Sequence, residues 1–124
     1  MEPLRVLVVD DEVELVHTMV ERLSLRGIKA HGETHGREAL DHLLTEDYDV
    51  VLLDIRMPGV DGLEVIEVIR MRWPDVKVVI LTGMSTVQMA RRGRALGAYD
   101  YLVKPVQLSK VIRTLYAAAG RSAP

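Results

Sequence analysis

The sequence predicts an α/β fold: one open, doubly wound sheet of five parallel strands with five helices over its two faces. Two observations carry this expectation. Short, continuous runs of Val, Leu and Ile, too brief for helices and lacking the alternation of a half-wet sheet, suit central parallel strands covered on both sides. Between them lie segments with apolar residues at helical spacing. Five strand–helix units in one short chain fill both faces of a sheet, because right-handed crossovers place helices there.

The elements follow in order. RVLVV predicts the first strand, and Val13, Val16, Val20 and Leu23 mark the apolar stripe of the first helix. IKAHG, near Ile28, is mixed in character, as an edge strand can be. Ala39, Leu40 and Leu43 give the second helix, DVVLL the third strand, and Val65, Ile66 and Ile69 the third helix. KVVIL is the fourth strand. The stretch from Thr86 to Leu96 is the poorest helix, with Val87, Met89 and Ala90 as its apolar residues, Gly93 inside it, and Arg91, Arg92 and Arg94 along its length. It is expected to be the loosest. YDYLV, around Tyr101, is a second edge strand, and Leu108, Val111, Ile112 and Leu115 close the pattern with the fifth helix.

Bulk composition narrows the function classes. A chain of 124 residues with 48% apolar content supports one domain with a single sizeable core. The domain is expected to span residues 1–124, with a short tail from about residue 120. Eighteen acidic against sixteen basic residues leave a formal charge of −2, so no global field draws the chain onto nucleic acid or an anionic membrane. The absence of cysteine excludes disulfides and thiolate metal sites. His31 and His35 have a spacing that suits a metal on a helix, but Gly32 and Gly36 mark that stretch as a loop, which argues against a ligand role. Trp73 and the six methionines read as packing. No apolar run approaches the roughly 18 residues of a membrane span, and the expected compartment is the cytoplasm.

Function is expected where open α/β sheets bind ligands, beyond the carboxyl ends of the strands. Asp10 and Asp11 follow the first strand, Asp54 ends the third, Thr82 the fourth, and Lys104 follows the fifth. Each has an ordinary structural use when taken singly: Asp10, Asp11 and Glu12 as acids at a helix start, Thr82 as a helix cap, Lys104 before Pro105 as an exposed turn. Together they say more. Three carboxylates within a few ångströms repel one another unless a cation sits among them, and few hard oxygen ligands with room for water and phosphate suit Mg²⁺. Asp54 is then the candidate nucleophile for an acyl phosphate, with Mg²⁺ held mainly by Asp11 and Asp54, and with Lys104 and Thr82 on the phosphoryl oxygens. No Gly-rich phosphate loop is present, so the phosphoryl group is expected to arrive on another molecule.

VLVVDDE, DVVLLDIRMPGVDGLEVI, VVILTG and GAYDYLVKP fall in the order and at the spacings of the receiver domains of two-component response regulators, which the chain resembles over nearly its whole length. The resemblance implies a flavodoxin-like sheet of order 2-1-3-4-5. It implies Asp54 as phosphoacceptor, Asp11 as a direct Mg²⁺ ligand, Asp10 as a ligand through water, and the Arg56 backbone carbonyl as the last protein ligand. Met57, Pro58 and Gly62 would turn that carbonyl toward the metal. Thr82 and Lys104 would read the phosphoryl group, Tyr101 would be the switch aromatic, and Arg56 and Met84 would flank the water that removes the phosphoryl group. The Lys104–Pro105 bond would be cis. Gly83 departs from the pattern, which more often has Ala there.

The resemblance also implies partners: a sensor histidine kinase or histidine phosphotransfer protein upstream, and an output domain, a target protein or a second receiver downstream. The downstream partner would read phosphorylation on the face of the fourth helix, fifth strand and fifth helix. Such a chain would be a signalling domain that assists its own phosphorylation and dephosphorylation, without turnover of a substrate. A phosphatase of the haloacid-dehalogenase type uses similar residues, but its first strand ends in Asp-x-Asp, whereas Asp10 here is followed by Asp11-Glu12. A flavin or nucleotide module would need the missing phosphate loop. A degenerate, scaffold-only receiver would lack part of the acid, Thr and Lys set. The chain closes soon after its fifth helix with AAAGRSAP, so it is expected to be either free-standing or the receiver of a longer regulator or hybrid kinase.

Overall fold

A computed structural model describes residues 2–57 and 60–124. Its main sheet comprises β1 (Arg5–Val9), β2 (Lys29–Glu33), β3 (Val50–Asp54), β4 (Lys77–Thr82) and β5 (Asp100–Val103). All neighbours are parallel, in the order β2-β1-β3-β4-β5, with Val6 beside Ala30 and Val50, Leu53 beside Ile80, and Thr82 beside Val103. The helices are α1 (Val13–Leu25), α2 (Gly36–Thr45), α3 (Gly62–Arg72), α4 (Val87–Ala95) and α5 (Leu108–Ala118). A two-residue antiparallel ribbon, Arg56–Met57 against Val60–Asp61, follows β3. Pro58, assigned by resemblance to the turn after Asp54, lies outside the described residues.

The apolar runs are continuous because successive residues of a strand point to opposite faces and both faces are covered. Val50 and Leu52 join Val6, Val8, Val79 and Leu81 under α1 and α5, where Leu23, Val111 and Leu115 meet them. Val51 and Leu53 join Leu7, Val9 and Ile80 on the other side, against Ala39 of α2, Ile66 of α3 and Ala90 of α4. Each such side chain, fully buried, contributes about 1.5–3 kcal/mol. Two thin cores therefore clamp a rigid sheet whose carboxyl ends all open at one rim.

Several expectations change in detail. Val13, placed in the α1 stripe by its spacing, stands in solvent at the helix start, because the stripe reaches the sheet only from Val16 onward. His31 lies within β2, as the edge-strand reading of IKAHG has it, and Gly36 is the first residue of α2, so the loop read between His31 and His35 shrinks to residues 34–35. The His31 Nδ1 is 2.8 Å from the Tyr48 hydroxyl, which also lies 3.2 Å from the His42 Nδ1 and donates to Glu46. That bond, with the two histidines, holds the Glu46 carboxyl below its ordinary range, while burial and the same carboxylate push the Tyr48 phenol up.

Gly93 changes meaning most. A Cβ there would lie 2.6 Å from the Ile80 Cδ1 and 3.0 Å from the Ile66 Cδ1, so the missing side chain lets α4 settle directly onto the sheet and α3. It is a point of close approach, gained at the ordinary cost of glycine in helix propensity. The irregularity in this region lies upstream: a 3₁₀ turn over Met84–Thr86 leads into α4, and Thr86, at the helix start, makes no capping hydrogen bond.

Candidate functional site

The rim site begins with where the chain must stop being a strand. Asp10 follows β1 directly and is buried, with its Oδ1 accepting from the Glu12 amide at 3.0 Å. This Asx turn redirects the chain into α1 and leaves Asp11 exposed beside it. Asp54, the last residue of β3, is only 9% exposed; its Oδ1 accepts from the Arg56 amide at 3.0 Å. A third bond of the same form, Leu63 N–H to Asp61 Oδ1 at 2.9 Å, caps α3. Gly62 closes the loop: a Cβ there would run into the Ile55 carbonyl, so only glycine lets the start of α3 pack over the turn after Asp54.

One carboxylate oxygen from each of Asp10, Asp11 and Asp54 lies within 4.8 Å of the others, the one group of such ligands among the described residues. Lys104 enters from the far side of the rim. Its Nζ is 3.4 Å from the Asp10 Oδ2 and 3.8 Å from the Asp54 Oδ2. A cis Lys104–Pro105 bond follows β5, and the Lys104 amide donates to the Thr82 carbonyl at 2.7 Å, tying the ends of β4 and β5 together. Burial pushes the Asp54 carboxyl above its ordinary range, the Arg56 amide works against that rise, and the charges of Asp10 and Asp11 add to it while Lys104 opposes it. Three carboxylates against one ammonium leave a negative surplus in a partly desolvated hollow. A divalent cation with hard oxygen preferences fits that donor set.

The open cleft over these groups is lined by Asp11, Glu12, Asp54, Arg56, Met57, Gly83, Ser85, Thr86 and Lys104. The structure thus brings together Asp10, Asp11, Asp54 and Lys104 as expected. Thr82 is different: it is fully buried, does not line the cleft, and shares its hydroxyl hydrogen bond with the hydroxyl of Thr86. Met84, on the 3₁₀ turn, faces solvent. Tyr101 is half-buried against the core beneath α4, and its hydroxyl accepts from the Arg91 Nε at 3.5 Å. Of the other lining residues, Glu12 was read in the sequence only as an acid at a helix start and Thr86 only as the start of the fourth helix, while Ser85 was not read at all.

A family model for the response regulator receiver domain matches residues 6–116. The chain is 36% identical over 122 residues to the response regulator MprA of Mycolicibacterium vanbaalenii, covering 98% of this chain and 53% of that one. It is 40% identical over 121 residues to the transcriptional regulatory protein TctD of Salmonella typhimurium, covering 97% and 54%. It therefore spans about half the length of these curated relatives. Among solved structures, a response regulator receiver domain protein from Clostridium thermocellum superposes with a TM-score of 0.89 at 27% identity, covering 94% of each chain. The chemotaxis response regulator CheY4 of Vibrio cholerae superposes with a TM-score of 0.84 at 28% identity, covering 94% of this chain and 98% of that one.

Proposed function

The chain belongs to the receiver domains of two-component response regulators, and on that footing we propose that it accepts a phosphoryl group on Asp54 and passes the signal on through α4, β5 and α5. The observation that carries the reading is the convergence of Asp10, Asp11, Asp54 and Lys104 on one rim, from three strands distant in sequence. Residues 1–124 act as one receiver, with a short tail after α5. The role is that of a signalling domain that assists its own modification.

Asp54 supplies the nucleophile. One carboxylate oxygen attacks phosphorus while the P–N bond of a phosphohistidine breaks, and the freed electron pair returns to the imidazole, so an acyl phosphate forms with no net redox change. The Arg56 amide holds the Asp54 Oδ1 in place, and burial limits the water that competes for the same carboxylate. Lys104, aimed between Asp10 and Asp54, is placed to pair with a phosphoryl oxygen. Mg²⁺ is the cation this donor set fits: Asp11, Asp54 and the Arg56 backbone carbonyl would hold it, with Asp10 in support. When bound it neutralises charge on the phosphoryl oxygens. Arg56 and Met84, both exposed on the loops after β3 and β4, tune the lifetime of the acyl phosphate.

The upstream partner is a histidine kinase or histidine phosphotransfer protein; the downstream one is an output domain, a target protein or a second receiver. Among the described residues no helix is long and apolar enough to cross a membrane. The direct test is intact-mass analysis after acetyl phosphate and Mg²⁺. One labile phosphoryl group is expected on the wild type and none on Asp54→Asn; persistence of the same labile adduct in the variant overturns the assignment.

A further inference from the structure

Thr82 is expected to hydrogen-bond a phosphoryl group on Asp54, yet its hydroxyl is turned elsewhere. It is wholly buried and bonded to the Thr86 hydroxyl, while Thr86 also donates to the Gly83 carbonyl at 3.2 Å. The alternative acceptor for Thr82, that same Gly83 carbonyl, lies at the longer distance of 3.3 Å. Thr86 itself is half-buried and lines the cleft, whereas Thr82 does not. Thr86 thus reaches the cleft that Thr82, held by it, does not line. Its hydroxyl is also withheld from the start of α4, where a threonine in that position would ordinarily accept from a helix amide.

We propose that Thr86 is a positioning residue that latches Thr82 in the unphosphorylated state, so that the Thr82–Thr86 hydrogen bond must break before Thr82 can reach a phosphoryl group on Asp54. The proposal rests on the reading of Asp54 as phosphoacceptor and adds a cost to the transition that Thr82 alone does not set. One hydroxyl–hydroxyl bond in a buried site shifts a two-state equilibrium several-fold, enough to hold the resting state without locking it. The latch also links the site to α4 directly, because Thr86 is the residue from which that helix starts.

Thr86→Val keeps the shape and removes the hydroxyl; Thr86→Ser keeps the hydroxyl; Thr86→Ala guards against crowding by the second methyl. In Mg²⁺ buffer, beryllofluoride, a phosphoryl mimic, is expected to bind Thr86→Val and Thr86→Ala about three- to tenfold more tightly than wild type. Their ligand-free amide resonances at Thr82 and Tyr101 should lie part-way along the line from free to beryllofluoride-bound wild type. Thr86→Ser should match wild type in both measurements. Unchanged or weaker binding by Thr86→Val and Thr86→Ala, or a serine variant that behaves as they do, overturns the latch while leaving Asp54 as phosphoacceptor. A wild type that binds no beryllofluoride, or binds it equally well as Asp54→Asn, removes the underlying reading and the latch with it.

Discussion

At the scale of single residues, the chemistry of the rim turns on the cost of keeping Asp54 ionised beside two other carboxylates. Its folded-state pKa is raised, chiefly by burial and then by Asp10 and Asp11. Protonation therefore favours the folded chain, and that contribution is present at low pH and lost as pH rises through the folded-state value. At neutral pH the ionised group is a net cost to the fold, which Lys104 offsets in part. Asp54→Asn is expected to melt a few degrees higher than wild type at pH 7 in the absence of divalent cations. Its advantage should shrink as the pH is lowered toward the carboxylate range. Mg²⁺ should raise the wild-type melting temperature and leave Asp54→Asn nearly unmoved, since the same charge cannot be relieved twice. Thermal melts with and without Mg²⁺ across that pH range check both halves.

At the scale of elements, two glycines separate rigid from adaptable packing. Gly62 abuts the Ile55 carbonyl, which the backbone holds in place, so Gly62→Ala forces the ribbon after β3 away from α3. A loss of more than about 2 kcal/mol is expected, together with weaker Mg²⁺ binding, because the same turn carries the Arg56 amide and carbonyl. Gly93 faces only the ends of flexible side chains, Ile80, Ile66 and Ile55. There the gain in helix propensity, about 1 kcal/mol, works against the strain of displacing three buried methyls, about 1–3 kcal/mol. Gly93→Ala should therefore cost about 1 kcal/mol, clearly less than Gly62→Ala. Chemical denaturation of the two variants decides it, and the reverse order would refute this account of α4. The helix is polar on its exposed side, where Arg91, Arg92 and Arg94 stand, and closely seated on its inner one.

At the scale of the whole molecule, the sheet is clamped between two layers of helices, and on the proposed reading the loops at its carboxyl ends carry the change. The order β2-β1-β3-β4-β5 sets β4 and β5 next to each other, so a movement of Thr82 at the end of β4 is one strand away from Tyr101 on β5. Tyr101 packs beneath α4 and is tied to it through Arg91. Beryllofluoride is expected to shift amide resonances from the Asp54 rim through α4 and Tyr101, as a ligand that binds one of two existing states more tightly. In Thr82→Ala the shifts should stay at the rim. Wild-type shifts confined to the rim would refute transmission by this route. With a formal charge of only −2, a partner on the proposed face would be met by local patches, among them the exposed arginines of α4.

The sequence by itself determined the architecture and most of the site. Strands buried on both faces have to be continuous apolar runs, so RVLVV, DVVLL and KVVIL were legible without any knowledge of contacts, and each polar residue ending such a run had to emerge at the rim. Asp10, Asp11, Asp54 and Lys104 were readable for that reason. Three things were decided only by tertiary structure. Gly93 looked like a helix weakness because propensity is local, whereas its use is set by isoleucines from a strand, a helix and a loop far away in sequence. His31 fell within both an edge-strand reading and a loop reading, and pairing of β2 with β1, not its own polar residues, decides for the strand. The orientation of Thr82 was invisible for a simpler reason. A hydroxyl can serve several acceptors, and which one it serves is settled by where the chain folds Thr86.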